Sequence, residues 1–391
     1  MVSHYDFDTF VPDDVEGLIK WERSGSAGVL GMGVADMDFK VAQPITDALV
    51  RRAERGIFSY TSKPDWYYGN IVDWYERRYG WHIEREWLLN APGIWTALRM
   101  CLQSYARPGA YVITQSPRFF PIQHVIDDAG CHLITNPMVL HNGRYTIDFE
   151  DFEAKIAEYR PMIYVMVNLQ NPTGRVFTRS ELQRLYEICA RYDVLVVSDE
   201  VHSTIVFDGY EHTPAASLNE QARKRTIMLN SASKGYNLMD LTYCFVLIPD
   251  DALRDRFART MLGYDMNFAT NTFGAIGTAA AFGRECDVWL DDVRAYLARN
   301  RHLIAGYLQS ELPAISPILP DGSFLMWLDC RALGVDDAAL HRLFMEGAKV
   351  DVRMGDGYGP AGTGFVRLNF ATTRARLVTA LEQIKDAVKA M

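Results

Sequence analysis

The middle of this 391-residue chain alternates apolar runs of strand length with stretches of helical periodicity, and no other feature constrains the fold as tightly. Residues 110–115 (AYVITQ), 163–168 (IYVMVN), 194–199 (VLVVSD) and 226–230 (TIMLN) each suit a strand buried on both faces. Between the second and third runs lies SELQRLYEICARYD, whose apolar residues recur at helical spacing behind Ser180, a residue suited to capping. Repeated β–α–β units of this kind predict an α/β fold, a mostly parallel sheet flanked by helices.

Toward the C-terminus the pattern changes. DVWLDDVRAYLARNRHLIAGYLQSEL reads as a long amphipathic helix that stops near Pro313, GSFLMWLDC and GFVRLNFA read as strands, and TTRARLVTALEQIKDAVKAM reads as a closing helix. That is an α+β module of about 100 residues, enough for a domain. The expected division is a large domain over 46–287 and a smaller one built from 1–45 and 288–391. The opening forty residues hold no complete core and are expected to pack on one of these units.

Composition narrows the function classes. A chain 49% hydrophobic and 23% charged is globular rather than disordered. A net charge of −9 argues against nucleic acid or an anionic membrane as the partner. The six cysteines form no Cys-x-x-Cys pair, so no zinc or dithiol motif is expected, and they read as buried reduced thiols. No apolar run reaches the length of a membrane span, and the start MVSHYDFDTFVPDD lacks a hydrophobic signal core. A cytoplasmic location is expected.

Ligands of open parallel sheets bind beyond the carboxyl ends of the strands. Three successive ends here run into LQNPTG, SDEVH and SASKGYN, which offer Asn171, then Asp199 and His202, then Ser231 and Lys234. Lysine is scarce, nine among forty basic residues, and Lys234 sits between small neighbours that let another molecule approach. It reads either as a solvated surface cation or as a desolvated amine able to form a Schiff base. Asp199 suits a turn cap or an anion facing a ring nitrogen. Asn171 suits an Asn-Pro-Thr-Gly turn or an amide donating to a phenolate oxygen. The Pro-Gly turn of APGIWTALRMCL leads into a helix whose first N–H groups can hold a phosphate, with Ser231 adding a hydroxyl. Arg367, inside the strand GFVRLNFA, needs a partner: an internal acid or a substrate carboxylate.

NLQNPTGRVF, VVSDEVHSTIVF, SASKGYNL and GFVRLNFA occur in the order and spacing of pyridoxal-phosphate enzymes of the aspartate aminotransferase fold, fold type I. With VADMDF, GIFSYT, APGIWTAL and SDEVH, the chain more narrowly resembles the MalY/PatB-type cystathionine β-lyases, or C–S lyases, over nearly its whole length. The resemblance implies pyridoxal 5'-phosphate held as an aldimine on Lys234, with Asp199 at the pyridine nitrogen and Asn171 at the ring hydroxyl. It implies that the backbone at Ile94 and Trp95, with Ser231, takes the phosphate, and that Tyr60 reaches the phosphate of a neighbouring subunit in a homodimer. Arg367, helped by the Ala35 backbone, would hold the substrate carboxylate, with His202 near the ring. The activity implied is β-elimination from an S-substituted L-cysteine through an external aldimine and a quinonoid.

Departures from the family cluster near the cofactor. SPRFFP places Phe119 where a tyrosine usually stacks on the ring, which keeps the stacking and removes a hydroxyl. The usual Met-Trp-Val-Ala-Asp becomes Met32-Gly33-Val34-Ala35-Asp36, and the lost indole suggests room at Gly33 for a bulky conjugate of secondary metabolism, such as antibiotic biosynthesis. Gly235 and Asp240 follow the lysine where other small residues are usual, and Asp240 adds a charge near the phosphate. Phe119 also leaves open a decarboxylation-coupled oxidative deamination, and an aminotransferase is a third reading.

Overall fold

The four apolar runs are neighbouring strands of one seven-stranded sheet in the computed structural model, which describes residues 4–10, 17–25, 28–266 and 271–391. In chain order the strands are β1 (Leu88–Ala91), β2 (Tyr111–Ser116), β3 (His132–Pro137), β4 (Ile163–Val167), β5 (Leu195–Asp199), β6 (Thr226–Asn230) and β7 (Cys244–Leu247). They lie side by side as β1-β7-β6-β5-β4-β2-β3, all parallel except β7, which runs against both β1 and β6. Every residue of β4, β6 and β7 is buried, as expected of strands covered by helices on both faces.

Helices cover the sheet as the β–α–β reading requires. The helix after β4, α1 (Arg179–Arg191), starts two residues earlier than a cap at Ser180 would place it. Its cap is Thr178 rather than Ser180. The Thr178 hydroxyl accepts from the Glu181 N–H at 3.2 Å, and the Glu181 carboxylate accepts from the Thr178 N–H at 2.7 Å. That reciprocal capping box satisfies two orphan donors, and it leaves Ser180 inside the first turn.

The C-terminal part builds a second sheet from β8 (Ser316–Ile318), β9 (Leu325–Asp329), β10 (Arg353–Met354) and β11 (Phe365–Asn369), ordered β8-β9-β11-β10 and antiparallel throughout. The long helix α2 (Asp287–Glu311) and the closing helix α3 (Arg374–Lys389) accompany it. The start of the chain packs here: Phe7 meets Phe39, Tyr296 and Trp289 at ring-centroid distances of 5.1, 5.5 and 6.1 Å, and Leu30–Gly31 pairs with Val350–Asp351.

One apolar cluster runs from Phe7 and Ile45 through Trp74 and Phe245 to Trp289, Leu325 and Ile384, so the two sheets share a core. A polar clamp adds to it. Asp321, fully buried between β8 and β9, accepts from Arg144 at 2.8 and 3.0 Å and from the Val176 N–H at 3.1 Å. It ties the second sheet to the loop beyond β4, where the polar residues begin.

Candidate active site

Because β4, β5 and β6 are parallel and in register, with Val167 opposite Asp199 and Asp199 opposite Leu229, their carboxyl ends finish level. A cavity of about 240 Å³ opens there. Nine of the residues singled out from the sequence line it: Ala35, Ile94, Trp95, Phe119, Asn171, Asp199, His202, Ser231 and Lys234. A larger hollow, about 490 Å³, lies apart from these groups beside Arg51, Arg52, Arg55 and Lys63. Convergence of unlike polar groups, not volume, marks the first as the site.

Lys234 stands in the short helix Ala232–Gly235, directly beyond β6. Its Nζ donates to the Ala35 carbonyl at 2.9 Å. Burial lowers its pKa to about 8, with the positive field of Arg367 acting the same way and Asp36 and Asp199 opposing. An amine in that range is deprotonated in part near neutral pH and can act as nucleophile or base. Gly235 is explained by this packing. A β-carbon there would run into the Thr204 side chain, so glycine lets the lysine turn close against the loop that follows Asp199.

Asp199 terminates β5, and burial lifts its pKa to about 6 against the lowering effect of a 3.1 Å bond from the Val201 N–H. A cationic neighbour would restore the charged form. Beside it, desolvation holds His202 neutral, well below the ordinary imidazole pKa, and its Nδ1 lies 3.1 Å from the Ser323 hydroxyl. The turn carrying both is fixed by Glu200, a fully buried carboxylate bonded to Ser198, to the Ala215 N–H and to His212, each at 2.9 Å.

Opposite these groups, helix Ile94–Tyr105 begins after Gly93, whose φ of 90° needs glycine, and no side chain caps it. Its first N–H groups therefore face the cavity without helical acceptors. The Ser231 hydroxyl donates to the Tyr243 carbonyl and accepts from the Ser233 N–H. The Phe119 and Trp95 rings lie 5.2 Å apart and form an aromatic wall.

Arg367 stands behind that wall, outside the cavity lining but fully buried. It donates to Asn171 Oδ1 at 3.3 Å and to the Gly33 carbonyl at 3.0 Å, and its Nε has no partner. One strap supplies acceptors to both cations, Gly33 to Arg367 and Ala35 to Lys234, while Asn369 donates to the Val34 and Asp36 carbonyls between and beyond them. Lys20 secures the strap through Asp38 at 2.7 Å and Asp36 at 3.2 Å.

Two expectations change. A β-carbon at Gly33 would lie 3.3 Å from the Val352 carbonyl carbon and 3.4 Å from the Asp351 oxygen. The missing side chain therefore points at neighbouring backbone, and the position adds no room to the cavity. Asp240 is exposed, and Met239 and Thr242 on either side of Leu241 and Asp240 line the cavity instead. Tyr60, expected at the phosphate of a neighbouring subunit, lies outside its own chain's cavity and is 84% exposed. The sequence reading missed Tyr243, Thr242 and the His212–Glu200 pair. Leu241-Thr242-Tyr243-Cys244 forms no motif that ties it to the site, and only the fold brings His212 to Glu200.

The profile of the class I and II aminotransferase family matches residues 27–384. Cystathionine β-lyase PatB of Bacillus subtilis is 35% identical over 374 residues, 95% of this chain and 96% of that protein. Protein MalY of Escherichia coli is 28% identical over 99% of this chain and all of its own length. Among solved structures, cystalysin from Treponema denticola, which contains a pyridoxal 5'-phosphate cofactor, superposes with a TM-score of 0.94 at 27% identity and full coverage of both chains. The chain belongs to the class I and II aminotransferase family, fold type I, and within it to the PatB- and MalY-type cystathionine β-lyases.

Proposed function

We propose that the protein is a pyridoxal 5'-phosphate-dependent C–S β-lyase that acts on an S-substituted L-cysteine. The observation that carries this reading is the meeting of Lys234, its pKa drawn down to about 8, with the buried Asp199 carboxylate in one cavity and Arg367 beside it. The residues present fit the cofactor. The uncapped helix start at Ile94 and Trp95, with Ser231, suits a phosphate, and Asp199, with one hydrogen bond among the described residues, suits a protonated ring nitrogen. Asn171 would serve the ring hydroxyl, Phe119 the ring face, and Lys234 the aldehyde. When bound, the cofactor supplies an electron sink for the Cα–H bond.

The chain's own groups do the rest. Arg367 binds the carboxylate, with the Ala35 backbone, and so selects which Cα bond faces the ring. Lys234 takes the Cα proton. The Cβ–S bond breaks with its electron pair leaving on sulfur, and hydrolysis of the three-carbon remainder gives pyruvate and ammonia. His202, neutral by burial, adds no competing charge.

We further propose a homodimer of two-unit subunits (46–287, with 1–45 and 288–391), in the cytoplasm, with Tyr60 of the partner subunit at the phosphate. Ile57, Phe58 and Tyr60 are exposed in succession, which suits an interface, and six buried free thiols suit a reducing compartment. Phe119 supports a second reading, decarboxylation with oxygen as the electron acceptor, because the ring-stacking position offers no hydroxyl for proton transfer. Incubation of the holoenzyme with S-substituted cysteines separates these. Thiol and pyruvate in equal amounts support the lyase; carbon dioxide with oxygen uptake supports the second reading. A keto acid formed stoichiometrically without thiol indicates transamination.

A further inference from the structure

The larger hollow, about 490 Å³, has no task in the lyase reading. Helices Gln43–Glu54, Asp65–Tyr79 and Thr272–Ala281 and residues 61–64 bound it, and its volume falls within the range of about 300–1,000 Å³ typical of small-molecule sites. Its wall carries four cations, Arg51, Arg52, Arg55 and Lys63, against one acid, Glu285. Arg51 and Arg52 stand in the last turn of their helix, where cations complement the helix dipole. That accounts for the residue types and not for their surroundings.

What these cations lack is an anion. Arg52 is only 9% exposed. Among the described residues its one side-chain hydrogen bond runs from Nη2 to the Thr61 hydroxyl at 3.4 Å, and its Nε is buried without a partner. Buried donors are normally satisfied, so the gap calls for an acceptor. Lys63 is half-buried with its Nζ 6.0 Å from the Tyr67 ring, and burial lowers its pKa to about 8 with no acid acting the other way. Among the described residues no carboxylate comes within ion-pair distance of any of the four. Asp65 turns instead to Arg85 at 2.6 Å, and Asp47 to Gln43 at 2.8 Å. Helix Asp65–Tyr79, 15 residues long, adds to the same wall: Pro64 stands at its N-cap with no side-chain acceptor, and Pro64 and Trp66 both line the hollow. The opening N–H groups of that helix are therefore left for another acceptor.

We propose that this hollow binds a phosphate monoester, its dianion held by Arg52, Lys63 and the start of helix Asp65–Tyr79, with the organic part along the Trp66 ring. A dianion offsets the surplus positive charge better than a carboxylate would, and guanidinium, ammonium and helix-start N–H groups are the donors that phosphates use. Trp66, 44% exposed, offers a flat apolar face beside them. Residues 56–64 form neither helix nor strand, so an anion bridging Lys63 to Arg52 would also fasten this stretch to helix Gln43–Glu54. The site stands apart from the lyase reading, since none of its lining residues lines the cavity of Lys234.

The test is isothermal titration of the holoenzyme, in which the cofactor's own phosphate position is already filled. AMP is compared with adenosine, and ribose 5-phosphate with ribose, in phosphate-free buffer at about 0.15 M salt, which screens unspecific surface attraction. At least one phosphorylated member should bind about tenfold or more tighter than its dephosphorylated partner, and that preference should fall to about one in Lys63→Gln and in Arg52→Gln. Near-ultraviolet circular dichroism checks that each variant is folded, and Lys63→Gln, at the less buried position, decides the matter if Arg52→Gln is not. Sedimentation velocity follows subunit association in the same samples, because the exposed Phe58 ring lies 5.8 Å from the Arg52 guanidinium. Equal affinity within both pairs in the wild type overturns the proposal, and if the variants then also alter association, the hollow belongs to a second copy of the chain. A phosphate preference that survives in the folded variants overturns it too.

Discussion

Replacing Lys234 by methionine should make the cofactor-free protein more stable at neutral pH, because the fold holds this amine where its charge is unwelcome. Burial lowers its pKa from 10.5 to about 8. Between those values the unfolded chain keeps a proton that the folded state releases, so stability falls as pH drops through the window and the full penalty is present below about pH 8. At 1.36 kcal/mol per unit the shift corresponds to about 3 kcal/mol. The 2.9 Å bond to the Ala35 carbonyl returns about 1 kcal/mol, which leaves a net gain of about 2 kcal/mol for Lys234→Met at pH 7. Urea unfolding of both apo-proteins, followed by tryptophan fluorescence at pH 7, 8.5 and 10.5, reads the difference directly. The advantage of the variant should shrink as pH rises and vanish by the top of the range. A variant less stable than wild type at pH 7, or a difference unchanged by pH, would refute the reasoning. The same desolvation that makes the amine reactive is what costs the fold.

Gly235→Ala should cost about 1–3 kcal/mol in thermal or urea melts, because its β-carbon overlaps Thr204; adding Thr204→Ala should recover only part, since the residual Cβ contact would still be 2.8 Å. Asp321→Asn leaves Arg144 without its counter-charge and weakens the acceptor for Val176, so urea stability should fall by about 2–3 kcal/mol. Arg367→Gln should raise KM for any S-substituted cysteine by about 30-fold or more, with a smaller change in kcat, when pyruvate release is followed by a coupled dehydrogenase.

Strands β2, β4, β5 and β6 were legible because strands buried on both faces cannot hide their composition. The other three were not. β1 is four residues long, β3 is an edge strand partly open to solvent, and the apolar run of β7 merges with the loop that follows it. The lysine, aspartate and asparagine loops could be found because parallel strands end level, which turns three separate stretches of sequence into one rim. What could not be read were contacts fixed by register and by the path of the chain. Arg353 faces Arg367 only through the pairing of β10 with β11, His212 meets Glu200 only once the loop after β5 has folded back, and the direction of the missing side chain at Gly33 depends on the backbone at Asp351 and Val352. Residue types declared themselves; their vectors did not.

The strap from Gly33 to Asp38 moors the amine and the guanidinium on carbonyls two residues apart. Whatever draws Arg367 off its mooring tugs on the same few peptide units that hold Lys234, so occupancy of the acid-binding end and freedom of the nucleophile are mechanically linked. Because both acceptors are backbone carbonyls, a strap longer or shorter by one peptide would shift the moorings of both cations.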